Sequence, residues 1–281
     1  MRFLLPILLL LLLLLPSCTQ QPKTERVLIV SIEPLRYVTE ALAGDKFEVK
    51  TITPKGANPE TYSPTLQQME ELSSCTAAIR VGTLGFEKTQ LSAFSENCPH
   101  LYIVNASEKV SEVSPCGDKD HGGEMDPHTW TSPRNMNIIA LNIYKALCHI
   151  DHANMHYYEE RLNAFLQKSD SISREVNKRL AHAKHRTFLI NHPSLGHFAL
   201  QYNLRQISVE HEGKEASAAR VQTLIDECRK DCVQVILCQE QHSDRTTQTI
   251  AKELGLPIHT INPLSYDWDK EIVRIADLIA Q

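Results

Sequence analysis

Val27-Leu28-Ile29-Val30-Ser31-Ile32-Glu33-Pro34-Leu35 joins a short apolar run to the start of a helical pattern. That pattern runs from Pro34 to Ala43 and stops at Gly44, and Phe47 to Thr53 then reads as a second strand. Strand, helix, strand is the unit that decides the fold class, because it implies a parallel sheet covered by helices. Moving outward, Thr65 to Leu72 reads as a helix, Ala77 to Val81 as a strand, Thr89 to Glu96 as a helix and Leu101 to Val104 as a strand. After a long interruption the rhythm resumes. Thr187 to Ile190, Arg205 to Val209, Val233 to Cys238 and Ile258 to Ile261 are strands. Leu195 to Tyr202, Ala218 to Cys228, Thr246 to Leu254 and Glu271 to Ala280 are the helices between and after them.

The interruption runs from Asn135 to about Ala183 without a glycine or proline. Ile138, Leu141, Ile143, Leu147, Tyr158, Leu162, Phe165 and Leu166 form a broken helical stripe along it. Two readings are open. His149 to Asn154 breaks the segment into two successive helices, or the whole of it is a spine linking two domains.

The N-terminus speaks to the compartment. Arg2 precedes Phe3 to Pro16, an apolar run dominated by leucine. It falls short of the roughly 20 residues that span a bilayer and reads as a secretory signal. Leu15-Pro16-Ser17-Cys18 resembles the cleavage site of a bacterial lipoprotein, and Thr19 to Lys23 suits a polar tether. Lipid on Cys18 would anchor the protein rather than span the membrane. A chain of 281 residues is long for one core and comfortable for two. A net charge of −5 argues against nucleic acid as a partner while leaving room for a cation. In an oxidising compartment some cysteines can pair. Cys75 and Cys98 precede neighbouring strands, so they are a candidate disulfide, with buried free thiols as the alternative.

The chemistry gathers at loops. In Asp126-Pro127-His128-Thr129-Trp130, Pro127 fixes its own φ and biases Asp126 to an extended form, so His128 is offered from a defined turn. Glu60 follows the strand Phe47 to Thr53, His192 follows Thr187 to Ile190, and Asn262 follows Ile258 to Ile261. Glu240 and His242 follow Val233 to Cys238. Parallel α/β sheets build sites at the carboxyl ends of their strands, so these residues can converge. Two imidazoles and a carboxylate suit a borderline divalent metal, zinc above all. Enzyme readings fail. His211-Glu212 lacks the second histidine of a zinc-protease helix, and Pro193-Ser194-Leu195-Gly196 lacks the first glycine of a nucleophile elbow. Cys228, Cys232, Cys238 and His242 lack the paired spacing of a structural zinc site. The insert from Ser114 to Met125, with Asp118 to His121, reads as a solvated loop without a metal role.

Several segments then carry a family resemblance. They are Gly56-Ala-Asn-Pro-Glu60-Thr-Tyr62-Ser-Pro64-Thr65, Val81-Gly-Thr-Leu-Gly-Phe-Glu87, Asp126 to Trp130, His192-Pro-Ser-Leu-Gly-His-Phe198, Glu240 and Asn262-Pro263-Leu264. Together they resemble the solute-binding proteins of bacterial zinc and manganese ABC transporters, the cluster A-I or TroA-like family. The resemblance covers essentially all of the mature chain. It implies an α/β protein of two lobes, each a parallel sheet flanked by helices, joined by one long rigid helix. The expected division is a signal peptide at 1–17, a lipidated tether at 18–26, an N-terminal lobe at 27–134, a linking helix at 135–183 and a C-terminal lobe at 184–281.

The family's second and third ligands correspond to His128 and His192. Its first, usually a histidine, is here Glu60, and its fourth, usually an aspartate, is here Asn262. The set keeps the same single formal negative charge as three histidines and one aspartate, moved across the cleft. Asn262 offers only a neutral carbonyl oxygen, so a three-ligand site with water in the fourth position is the expected geometry. His197, Glu240 and His242 are substitutes. The implied function is capture of Zn2+, with Mn2+ second, and delivery to an ABC permease in the cytoplasmic membrane. The protein would be an extracytoplasmic, lipid-anchored monomer that performs no catalysis. The departures at Glu60 and Asn262 motivate one alternative, a relative with a degraded metal site acting as an adhesin-like or regulatory lipoprotein.

Overall fold

A computed structural model describes residues 26–111, 113, 126–210, 217–241 and 245–281. The expected signal, Cys18, the insert Ser114 to Met125, the run His211 to Glu215 and His242 lie outside the described residues.

Strand β1, Val27–Val30, is buried along its whole length. An unbroken apolar run is what a central parallel strand covered on both faces requires. Helix α1, Glu33–Ala43, has Pro34 in its first turn, where the missing N–H costs nothing. It ends at Gly44, whose φ of 58° and close approach to the Tyr157 hydroxyl exclude a side chain. Then come β2, Glu48–Thr51; α2, Leu66–Ser74, closed by a Thr65–Gln68 capping box; β3, Ala77–Arg80; α3, Ser92–Asn97; and β4, Ile103–Asn105. These strands form one parallel sheet in the order β2-β1-β3-β4.

The segment without glycine or proline is two helices. Helix α4 spans Pro133–Ile150 and α5 spans Met155–Leu180. Asp151 leaves helical geometry, and its carboxylate gathers Arg26, Asn154 and Tyr158 at the break. The chain then folds back, so that Ser169 on α5 donates to the carbonyl of Pro133 and Asn137 donates to Asp170. Of the segment expected at 135–183, α5 is the part that runs between the lobes. Tyr157 and Arg161 bond Asp45 and the Ala41 carbonyl at one end, and Arg179 pairs with Asp277 at the other. At 26 residues α5 is about 39 Å long, enough to pass both sheets.

The second half repeats the first. Strand β5, Thr187–Ile190, is followed by α6, Gly196–Gln201; β6, Arg205–Ser208; α7, Ala218–Lys230; β7, Ile236–Gln239; α8, Arg245–Leu254; β8, Ile258–Ile261; and α9, Trp268–Ala280. The order is β6-β5-β7-β8, again all parallel. Along β5 the side chains alternate between two cores. Phe188 and Ile190 join the main core that continues through α4, α5 and α9, while Leu189 joins a smaller outer cluster with Ile207 and Leu224.

The candidate disulfide does not form: Cys75 and Cys98 are both free. Both thiols are half-buried, and strand β3, which Cys75 precedes, lies between β1 and β4. Burial pushes the Cys75 thiol up to about 11, which keeps it protonated and inert.

Candidate metal centre

In each sheet the strand order reverses beside the first strand, so the loops leaving neighbouring strands diverge and open a crevice at the carboxyl ends. The two crevices meet, and three side chains converge there. Glu60 stands in the loop after β2. Asn58 turns that loop by accepting from the Glu60 amide at 2.9 Å. Gly85 lets the loop after β3 press on it, since a Cβ there would sit 2.9 Å from the Glu60 carbonyl oxygen. The β3 loop is itself shaped by Glu87, whose buried carboxyl accepts from the Ser31 hydroxyl and the amides of Val81, Gly82 and Leu84. Burial raises the Glu87 pKa despite these donors.

His128 precedes α4. Ser132 caps that helix by accepting from the Asn135 amide, and Pro133 occupies its first position, so the turn before it is set locally. Asp126 folds back beneath His128, accepting from its amide at 2.9 Å and from ring Nδ1 at 2.8 Å. Burial pushes the Asp126 carboxyl up, but the hydrogen bond and charge of His128 outweigh it and hold it below the usual carboxylate range. An ionised Asp126 makes Nδ1 the donor, so the His128 lone pair sits on Nε2.

His192 follows β5, and its Nδ1 meets the carboxylate of Glu210 at 2.9 Å. Burial disfavours the charged ring, yet Glu210 and Glu60 outweigh it, and the pKa is pushed up to about 9. Both rings therefore present Nε2 to one point, with 3.3 Å between the two atoms. The Glu60 oxygens lie 3.5 Å from each. For bonds of 2.0–2.1 Å, a tetrahedral zinc site has ligand-to-ligand edges of about 3.3–3.4 Å. The spacing fits a cation at the centre. Among the described residues this is the one group of three or more His, Cys, Asp and Glu side chains so arranged.

The other candidates stand elsewhere. The Asn262 carbonyl oxygen accepts from the Leu264 amide and from Gln241, and its amide nitrogen donates to Glu240 at 2.9 Å. Both lone pairs are committed to protein donors. Glu240, Asn262, Lys55 and Asp267 line an adjoining cleft of about 440 Å³ between the lobes. His197 uses one ring nitrogen on Asn135 and the other on the Asp126 carbonyl, so it is a brace and not a ligand. Sequence reasoning missed Glu210 as the orienting partner of His192. It lies at the carboxyl end of β6, 18 residues after that histidine, and the strand-end rule applied to Arg205–Val209 would have pointed to it.

A family model described as the periplasmic zinc-uptake complex component A matches residues 28–272. The zinc-binding lipoprotein AdcA of Streptococcus pneumoniae is 24% identical over 274 residues, covering 90% of this chain and 53% of that protein. This chain therefore spans about half the length of that relative. The metal ABC transporter substrate-binding lipoprotein ScbA of Streptococcus cristatus is 27% identical over 257 residues, covering 86% and 81%. A crystal structure of ZnuA superposes with a TM-score of 0.85 at 30% identity, over 91% of this chain and 98% of the other.

Proposed function

The chain belongs to the family of the periplasmic zinc-uptake component A, and from that membership we propose that it is the extracytoplasmic metal-binding component of an ABC importer. In this reading Zn2+ is the cargo, with Mn2+ second, and Glu60, His128 and His192 hold it in the cleft. The observation that carries the reading is the convergence of three ligand atoms within 4.8 Å. Two imidazole nitrogens and one carboxylate oxygen suit zinc better than a hard cation. Water takes the fourth position, while Asn262 and Glu240 form the cleft wall beside it. The convergence also speaks against a degraded site, because such a site would leave the ligand atoms apart. The protein acts as a monomer, tethered by lipid on Cys18, and hands its cargo to a membrane permease. No helix among the described residues is long and apolar enough to cross a membrane.

Titration of the purified chain against a chromophoric chelator is expected to give a zinc dissociation constant well below micromolar. A value weaker than micromolar overturns the reading. The pH dependence follows from His192, whose pKa is about 9 without metal. At pH 7.5 its ring carries a proton that zinc must displace, so calorimetry in buffers of different ionisation enthalpy should show about one proton released per zinc. Apparent affinity should rise about tenfold per pH unit from 7 to 9 and then level off. The stability of the metal-free form should move the opposite way. A raised histidine pKa stabilises below the unfolded value near 6.5, and that contribution is lost as pH rises through 9. An affinity that is flat across this range contradicts imidazole ligation.

Glu210→Gln tests the orienting partner. It removes the charge that makes His192 basic, so zinc binding at pH 9 should weaken roughly 10- to 100-fold. Near pH 7 the loss should shrink, because a less basic ring also competes less for protons. An unchanged constant at pH 9 would remove Glu210 from the site.

A further inference from the structure

Trp130 lies between His128 and the C-terminal lobe. Its ring is 5.2 Å from the His128 ring, inclined at 59°. Its indole N–H donates to the Pro263 carbonyl at 2.9 Å, and its own carbonyl accepts from the Trp268 indole at 2.8 Å. The two tryptophans are 0% and 1% exposed. One residue beside a proposed ligand is thus tied, through its indole N–H and its carbonyl, to the two ends of the loop between β8 and α9. Helix α1 grips the same loop from the N-terminal lobe. The Tyr266 hydroxyl donates to Glu40 at 2.6 Å, Arg36 lies 4.2 Å over the Tyr266 ring, and Tyr37 packs on Trp268.

Geometry gives this seam a job. Glu60 comes from one lobe and His192 from the other, with His128 at the join. A ligand set works only when held to about half an ångström, so the placement of the lobes sets the edges of the tetrahedron. Removing one indole N–H leaves a dry carbonyl without its donor, a loss worth roughly ten- to a hundredfold in an equilibrium. We propose that Trp130 and Trp268 form a reciprocal clasp across the lobe seam that holds His128 in register with His192. Trp268, on α9 rather than on any loop that carries a ligand, is thereby a positioning residue for the bound cation. This rests on the zinc-binding reading above.

The chain contains two tryptophans, so replacing either leaves the other indole N–H as the sole reporter. Trp268→Phe keeps the apolar bulk and leaves the Trp130 ring on His128. In the metal-free full chain, indole exchange of Trp130 followed by 15N NMR should accelerate at least about tenfold. Zinc dissociation into excess chelator should accelerate about tenfold as well, with unfolding still cooperative. Trp130→Phe should produce the same pair of changes, reported by Trp268, and serves if the first variant folds poorly. Unchanged indole exchange overturns the clasp. Faster exchange with a wild-type zinc off-rate makes the clasp purely structural and overturns the positioning role. A wild-type chain that does not hold zinc overturns the function and the positioning role together, while the exchange arm still decides the clasp.

Discussion

Replacing His128 and His192 together by alanine is expected to weaken zinc binding by about a thousandfold or more. Protein zinc sites of full strength are worth about 10–16 kcal/mol. Losing two of the three proposed ligands should forfeit at least about 4 kcal/mol, which is a factor of about a thousand. The two single variants should differ in stability though not in the sense of their zinc effect. His192→Ala leaves Glu210 with 20% of its side chain exposed, where water can replace the imidazole. His128→Ala strands Asp126, which is 2% exposed and whose carboxylate depends on that ring. A buried charge stripped of its partner costs roughly 3–5 kcal/mol, so this variant should melt well below the wild type. Zinc titration and thermal unfolding of the three variants read both effects. A double variant that binds zinc as tightly as the parent would remove the metal centre from this cleft.

Glu60→Gln should weaken zinc binding about a hundredfold at constant pH. Glu60 is the anionic member of the proposed ligand set, and its oxygens face both Nε2 atoms at 3.5 Å. The amide offers a neutral oxygen in its place, which is a poor ligand for a divalent ion. Part of the loss should be masked near neutral pH, because Glu60 also helps raise the His192 pKa. Glu60→His is the informative partner variant. It supplies a softer nitrogen at the same place, so zinc should be retained and the preference for zinc over manganese should grow. Competition between the two metals measures that ratio. Loss of zinc affinity in Glu60→His would show that Glu60 does not face the ion.

Much of this was open to reading in the chain. The βαβ rhythm was visible because strand and helix periods are local, and β1 and β5 carry the continuous apolar residues that doubly covered strands need. Asp126-Pro127-His128 was legible for the same reason, since proline acts on its nearest neighbours. The break at Asp151 was only half legible. The polar run His149 to Asn154 signalled an interruption, but the reversal of direction is set by α4 and α5 packing on each other, with Ser169 reaching Pro133.

The sequence by itself determined the two parallel sheets, the helical segment between them and the pair of histidines, because each rests on residue types acting within a few positions. Tertiary structure decided which neighbours those histidines would have. Asn262 sits at the correct strand end, yet its side-chain amide is spent on Glu240, on Gln241 and on the Leu264 amide. Glu210 was one carboxylate among many until β6 came to lie beside β5. A ligand's worth depends on which atoms its competitors for hydrogen bonds leave facing the cleft, and that is settled by chains distant in sequence meeting in space.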